Sequence, residues 1–257
     1  MESIITKRKP ILVAVCGKGG VGKTSISALV IKILAEKADG RILAIDADPA
    51  VGLATALGFK GERTVNDIRN DLIGRIEKEE SENRQALLAA LDYEVMAALE
   101  ERENIAFLAI GRPEKEGCYC KVNSMLRDII ESVARNFDYV VIDGEAGIEQ
   151  VNRRVLSTVT HLLLVSDASA KGLKVIETIG SVAGQAVHYE KAGLLLNRIR
   201  SEEEKNRLSL PSSTPLLGWI PEEDSIRGAD IAGQNLMEIP PCPAIEVVKR
   251  AITGFIN

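Results

Sequence analysis

The chain has 257 residues, of which 46% are hydrophobic and 27% charged; these ordinary globular values exclude a disordered chain and a fold that depends on disulfides. The formal net charge of −5 and the 4% share of aromatic residues argue against a basic nucleic-acid-binding face and a base-stacking platform. Apolar runs fall well short of the roughly 20 residues of a membrane-spanning helix, and charge interrupts the first ten residues, so we expect a cytoplasmic protein without nucleic-acid or membrane partners.

Short, continuous apolar runs alternate with helical patterns along the chain. Runs without period-2 alternation are typical of parallel strands that are covered on both faces. The predicted strands are residues 11–16, 41–46, 105–111, 139–143, 162–165, 194–197 and 216–220. The predicted helices are residues 23–37, 123–135, 171–187 and 245–255. This order predicts βαβ units, and therefore one α/β domain over residues 1–257 with a doubly wound, mostly parallel sheet.

Two segments need a separate interpretation. Residues 62–103 are charged and rich in Ala, Leu and Glu, which predicts a helical insertion rather than a second domain. The last helix places Ile245, Val248, Ile252 and Phe255 on one stripe. Because its polar face carries few cations, the stripe predicts packing on the sheet rather than membrane binding.

A phosphate-binding loop follows the first predicted strand. Residues 17–24 read GKGGVGKT and match the pattern G-x-x-x-x-G-K-[ST] between a strand and a helix. Glycines allow successive N–H groups to face phosphate oxygens at the N-terminus of the following helix. Lys23 is predicted to reach the β- and γ-phosphates and Thr24 to ligate Mg²⁺. The predicted contact residues of the loop are Gly17, Lys18, Gly19, Gly20, Val21, Gly22, Lys23, Thr24 and Ser25.

Lys18 is a second lysine in this loop. The stretch KGGVGKT, residues 18–24, resembles the deviant Walker A motif of the MinD/ParA ATPases, which are P-loop NTPases of the SIMIBI class. The resemblance implies slow hydrolysis of ATP to ADP with Mg²⁺. It also implies an ATP-bound homodimer in which Lys18 reaches the phosphates of the partner, as a cation supplied in trans.

Three carboxylates follow predicted strands. Asp46 and Asp48 come at the end of the second strand and Asp143 closes residues 139–143, so all three are expected at the ligand-facing edge of the sheet. An apolar strand that ends in Asp is the Walker B pattern, whose carboxylate holds Mg²⁺ through a water. By resemblance to the MinD/ParA class, Asp48 orients the attacking water and Asp46 lies near Mg²⁺.

Cys118 and Cys120 form a C-x-C pair. One chain supplies only two thiolate ligands, which cannot complete the four-coordinate shell of a bound metal ion. A two-fold dimer would bring four thiolates around one Zn²⁺ or Ni²⁺. The alternative is a pair of half-buried cysteines that pack as small apolar side chains.

The loop, the C-x-C pair and Asp143 with the following residues 145–149 (EAGIE) together resemble the CooC family. Members of that family are ATPases that help to insert nickel into carbon monoxide dehydrogenase and related acetyl-CoA enzymes. Residues 196–198 (LNR) and 217–221 (LGWIP) are similar to its base-contacting segments, which implies nucleotide contacts from Asn197, Arg198 and Pro221. The resemblance implies a metallochaperone that dimerises on binding ATP or metal and serves a nickel enzyme.

Two other functions fit parts of the sequence. One is a MinD/ParA-type positioning ATPase without a metal role, which would carry a membrane helix or a basic DNA-binding face. The other is an iron–sulfur reductase or scaffold resembling the nitrogenase iron protein, whose cysteines lie far apart and flank the second switch. Residues 121–241 contain no cysteine, so the second ligand of that arrangement is missing.

Overall fold

Eight strands form one sheet in a computed structural model, which describes residues 9–37, 39–78, 91–112, 120–144, 155, 158–186 and 188–257. The strands are β1 (Ile11–Gly17), β2 (Ile42–Asp46), β3 (Glu100–Arg102), β4 (Ile105–Ala109), β5 (Tyr139–Asp143), β6 (His161–Ser166), β7 (Lys191–Ile199) and β8 (Leu216–Pro221). Their order across the sheet is β3-β4-β2-β5-β1-β6-β7-β8. All neighbours are parallel except the β3–β4 pair.

Helices cover both faces of this sheet. They are α1 (Lys23–Lys37), α2 (Gly52–Leu57), α3 (Val65–Lys78), α4 (Leu91–Ala97), α5 (Cys120–Ala134), α6 (Ala170–Ala186), α7 (Glu202–Asn206), α8 (Asp224–Ala232) and α9 (Pro243–Ile256). One buried cluster joins α1 and α9 to one sheet face, and a second joins α3, α5 and α6 to the other. Two covered faces explain why the strands read as continuous apolar runs.

The doubly wound, mostly parallel α/β fold predicted from the sequence is confirmed. The predicted strands and long helices are present, with ends shifted by up to three residues. Residues 62–103 contain α3, α4 and β3, and the short antiparallel β3 was not predicted. The assignment of residues 1–257 to one domain stays a prediction.

The C-terminal helix α9 packs on the sheet, as its apolar stripe predicted. Ile245, Val248, Ile252 and Phe255 are all buried in the cluster that includes α1. None of the helices in the described part of the chain has both the length and the apolar character that crossing a bilayer requires.

The strand register brings the functional segments to one edge of the sheet. Asp46 at the end of β2 is the direct neighbour of Asp143 at the end of β5. Gly17 at the end of β1 pairs with Val165 of β6, and a Cβ atom at Gly17 would lie 2.1 Å from the Val165 carbonyl oxygen. The loop after β1 can therefore leave the sheet only because residue 17 is glycine.

Candidate functional site

The phosphate loop turns between β1 and α1. Gly20 and Gly22 have φ angles of 83° and 91°, a left-handed conformation that side-chain-bearing residues rarely adopt. Lys23, the first residue of α1, is 8% exposed, and its Nζ donates to the carbonyl oxygen of Lys18 at 3.4 Å. The lysine side chain therefore folds back over the loop, as a phosphate-binding lysine must.

Asp143 accepts hydrogen bonds from two hydroxyl groups of α1. Thr24 Oγ1 donates to Asp143 Oδ2 at 2.6 Å, and Ser27 Oγ donates to Asp143 Oδ1 at 3.0 Å. Thr24 and Ser27 are three residues apart, so both lie on the helix face that covers β5. Thr24 and Asp143 were predicted from their motifs, whereas Ser27 was not; the spacing of three residues between Thr24 and Ser27 was the available signal.

Asp46 is fully buried beside Asp143. Its two carboxylate oxygens accept from the backbone N–H groups of Asp48 at 3.0 Å and Leu53 at 2.8 Å, which holds the start of α2 against the sheet edge. Burial, reinforced by the neighbouring Asp143, raises the pKa of Asp46 to about 7. Burial also raises the pKa of Asp143 to about 6, although the Thr24 and Ser27 hydrogen bonds oppose this shift.

These oxygen atoms fit Mg²⁺. Two adjacent buried carboxylates with raised pKa values lack sufficient positive charge nearby, and Mg²⁺ prefers carboxylate, hydroxyl and water oxygens. Thr24, Asp143 and Asp46 would hold it, directly or through water, and the ion would offset phosphate charge during hydrolysis. Among the described residues, no three His, Cys, Asp or Glu side chains lie close enough together to hold a metal ion. The Mg²⁺ site would therefore also need the Thr24 hydroxyl, water or phosphate oxygens as ligands.

The same carboxylates predict how stability depends on pH. In the folded chain the pKa of each carboxyl group lies above its ordinary value of 3.8, so the folded state binds more protons than the unfolded state in this range. Without Mg²⁺, the free energy of unfolding should therefore fall as the pH rises from about 4 to about 7. Urea denaturation in EDTA at several pH values measures this. Asp143→Asn, whose amide can keep the Thr24 and Ser27 contacts, should flatten the dependence. A free energy of unfolding that increases over this range would contradict the prediction.

Asp48 lies in the turn between β2 and α2. Its backbone N–H donates to Asp46, and its own Oδ1 accepts from the N–H of Ala50 at 2.9 Å. One carboxylate oxygen therefore shapes the turn, and no hydrogen bond is recorded for the other within the described residues. Asp48 thus stands at the sheet edge where the sequence analysis expected a residue that orients water.

Lys18 forms an ion pair within its own chain. Its Nζ lies 3.7 Å from Asp167 Oδ2, and both side chains are about one-third exposed. Asp167 directly follows β6 and also accepts the N–H and hydroxyl of Ser169. The sequence analysis did not identify Asp167, because nothing in the local pattern links it to a lysine about 150 residues earlier.

A cleft continues from the loop along α1. Its lining includes three predicted nucleotide-contacting residues at the ends of β7 and β8, namely Asn197, Arg198 and Pro221, together with Ser25. The far wall is α8, which the sequence analysis did not predict. An ion pair between Arg227 Nη1 and Glu222 Oε1, 3.4 Å long, lies at this wall. The cleft has the position expected for a nucleoside whose phosphates lie in the loop.

Cys118 and the side chain of Cys120 lie outside the described residues, as does the EAGIE stretch of residues 145–149. The flanks of the cysteine segment are described. Asn66 Nδ2 donates to the carbonyl oxygens of Ile110 at 2.8 Å and Gly111 at 2.7 Å. On the other side, Arg69 Nε donates to Asn123 Oδ1 at 2.7 Å. Helix α3 therefore anchors the chain both before and after the cysteine pair.

Comparisons with known proteins agree with this geometry. A model of the CobQ/CobB/MinD/ParA nucleotide-binding domain matches residues 12–236. An uncharacterized ATP-binding protein of Methanocaldococcus jannaschii is 36% identical over 232 residues, covering 89% of this chain and 91% of that protein. The carbon monoxide dehydrogenase accessory protein CooC of Rhodospirillum rubrum is 26% identical over 250 residues, covering 89% and 90%. The cell division ATPase MinD of Pyrococcus furiosus has the same fold, with a TM-score of 0.66 and 23% identity over 95% of this chain and 98% of that one.

Proposed function

The chain belongs to the CobQ/CobB/MinD/ParA nucleotide-binding family and is an ATPase of the MinD/ParA type, and we propose that it works as a dimerising metallochaperone. In this proposal ATP controls association of two chains, and the association creates or opens a metal site formed by Cys118 and Cys120. The metal is Ni²⁺ or Zn²⁺, and the client is a nickel enzyme such as carbon monoxide dehydrogenase or an acetyl-CoA synthase.

In this proposal each side chain of the nucleotide site has a defined role. The loop and Lys23 bind the phosphates, and Thr24 with Asp143 and Asp46 holds Mg²⁺ directly or through water. The adenosine occupies the cleft beside Asn197 and Pro221. Asp48 orients the attacking water from the turn after β2. These assignments rest on the buried Asp46–Asp143 pair and its direct contact with Thr24.

In this proposal, dimerisation requires Lys18 to leave Asp167 and to bind the phosphates held by the second chain. In the single chain Lys18 is paired with Asp167, a contact of modest strength because both groups are partly exposed. Two triphosphates that face each other across an interface repel strongly, and a lysine from each chain would offset that repulsion. The phosphates of a partner offer more negative charge than one carboxylate, so ATP binding favours the exchange.

The observation that carries the metal proposal is the route from the nucleotide site to the cysteine segment. Asp46 holds the backbone at the start of α2, and α3 follows after a short connection. Helix α3 in turn anchors both flanks of the cysteine pair through Asn66 and Arg69. In this proposal a change at the Mg²⁺ site acts through α2 and α3 on the chain before and after the cysteine pair.

Two further observations favour the metal role over the alternatives. The similarity to CooC extends over 89% of this chain, and the relative is named as an accessory protein of carbon monoxide dehydrogenase. A positioning ATPase of the MinD kind would use an amphipathic C-terminal helix at the membrane. Here the apolar stripe of α9 is buried against the sheet.

Replacing both Cys118 and Cys120 with serine is the direct test of this function. The double variant should lose tight Ni²⁺ or Zn²⁺ binding and metal-induced dimerisation, because serine hydroxyls are poor ligands for these ions at neutral pH. Its monomer should still bind Mg–ATP. Equilibrium dialysis with elemental analysis under anaerobic conditions measures the first effect, and sedimentation measures the second.

The control for this experiment is Cys242→Ser, which changes a cysteine at the start of α9 that does not belong to the C-x-C pair. It should bind metal as the wild type does. Tight metal binding by the double variant would refute the site. An absorption spectrum with sulfide-to-iron charge-transfer bands in the wild type would instead favour the iron–sulfur alternative.

A further inference from the structure

Strand β7 is irregular where it meets the nucleotide site. Its pairing with β8 shifts between Leu196 and Ile199, and Arg198 in this interval has a φ angle of 59°. The left-handed region is unfavourable for a residue with a long side chain. Such a conformation persists only where neighbouring contacts hold it, and it is often found at functional sites.

The irregularity directs two consecutive side chains to one loop. In a regular strand, neighbouring side chains point to opposite faces of the sheet. Here Asn197 Nδ2 donates to the carbonyl oxygen of Val21 at 2.8 Å, and Arg198 Nη1 donates to the carbonyl oxygen of Gly20 at 3.1 Å. Two adjacent side chains of β7 thus bind two adjacent carbonyl groups of the phosphate loop.

These contacts also fix the direction of the loop N–H groups. In a trans peptide the C=O of one residue and the N–H of the next point in opposite directions. Arg198 therefore sets the direction of the Val21 N–H, and Asn197 sets that of the Gly22 N–H. Both carbonyl oxygens accept from these side chains, so the N–H group on the opposite side of each peptide is directed away from Asn197 and Arg198, as phosphate binding by the loop requires.

The contact between Asn197 and the loop restricts which residue can occupy position 22. A Cβ atom at Gly22 would lie 2.5 Å from Asn197 Nδ2, and the φ angle of 91° at Gly22 would already be strained for any other residue. Residue 22 must therefore be glycine where Asn197 makes this contact, and Arg198 binds the neighbouring carbonyl group of the loop.

We propose that Arg198 is a positioning residue that holds the phosphate loop in its binding conformation before the nucleotide arrives. It acts on the phosphates through the Gly20–Val21 peptide group and not through the base, although it also lines the cleft. This inference rests on the proposed nucleotide site and adds to it, since preorganised donors bind an anion without an ordering cost.

The test compares ligands that carry only one half of ATP. Displacement of a fluorescent ATP analogue by Mg–tripolyphosphate and by adenosine measures the two halves separately. Arg198→Asn removes the guanidinium while tolerating the left-handed backbone, and Arg198→Lys can still donate to Gly20. The control is Arg200→Asn, which has the same charge change at an exposed position whose side chain has no recorded contact with the loop.

In Arg198→Asn we expect the affinity for Mg–tripolyphosphate to fall about tenfold, with adenosine binding and the melting temperature close to wild type. Arg198→Lys should recover part of the loss, and Arg200→Asn should show none. Three results would overturn the inference: unchanged tripolyphosphate binding, a loss confined to adenosine, and equal losses of both ligands with a lowered melting temperature. Failure of the wild type to bind Mg–ATP would instead refute the nucleotide site itself.

Discussion

Replacing Lys23 with alanine is expected to weaken Mg–ATP binding by about 100-fold, since a charged hydrogen bond contributes roughly 1.5–3 kcal/mol and two phosphates lose their cation. Lys23 is almost fully buried, and its ammonium group folds over the loop toward the Lys18 carbonyl. Isothermal titration with Mg–ATP measures the loss.

Lys37→Ala is the matched control, because it removes the same charge from the exposed end of the same helix. It should bind Mg–ATP as the wild type does. The Lys23 variant must also be shown to fold, by circular dichroism and thermal denaturation, because Lys23 is buried and interacts with the Asp143 carboxylate. Wild-type affinity in a folded Lys23→Ala protein would refute the assignment of the loop.

Asp48→Ala is expected to keep Mg–ATP binding and to lose turnover by about 10²–10⁴-fold, the range found for groups that orient or activate a nucleophile. The side chain lies in the turn after β2 and does not hold the phosphate loop. Because product formation would no longer release the partner, the variant should also accumulate as a dimer with ATP. Single-turnover phosphate release and sedimentation measure the two effects.

Asp48→Asn separates chemistry from structure. Asparagine can still accept the Ala50 N–H, so it keeps the turn that Asp48 now stabilises. If Asp48 acts on the water, turnover should be lost in the asparagine variant as well. Wild-type turnover in Asp48→Asn, together with loss in Asp48→Ala, would show that the residue only shapes the turn.

The fold could be predicted because its strands are buried on both faces. Val13, Val141 and Leu163, in β1, β5 and β6, are fully buried, and such runs keep their apolar character whatever the long-range contacts are. Short or polar elements gave weaker signals. Strand β3 has three residues and α2 has six, so neither carries enough periodicity to be predicted from sequence alone.

The nucleotide site could be predicted where the motif is local. Gly17 to Thr24 is one continuous stretch, and Asp46 and Asp143 each end an apolar strand. Contacts between distant segments could not be predicted in the same way. The Lys18–Asp167 ion pair and the Arg198–Gly20 hydrogen bond join residues that only the strand order β1-β6-β7 brings together.

The left-handed conformation of Arg198 shows the same limit at the level of one residue. The resemblance implies a contact from Asn197 and Arg198 to the nucleotide, but the predicted strand ends at Asn197 and its pattern carries no signal for a left-handed residue after it. The bulge arises because Asn197 and Arg198 satisfy carbonyl groups of a loop that lies far away in sequence. Tertiary hydrogen bonds have overridden the local preference.

Native mass spectrometry of the anaerobically prepared chain tests the central proposal most directly, because one spectrum counts chains, nucleotides and metal ions together. With Mg²⁺, a slowly hydrolysed ATP analogue and Ni²⁺ or Zn²⁺, the account predicts a dimer that holds two nucleotides and one transition-metal ion. Under the same conditions Lys18→Ala should lose the nucleotide-dependent dimer. One metal ion bound to each monomer, or a nucleotide-bound dimer that takes up no metal, would contradict the account.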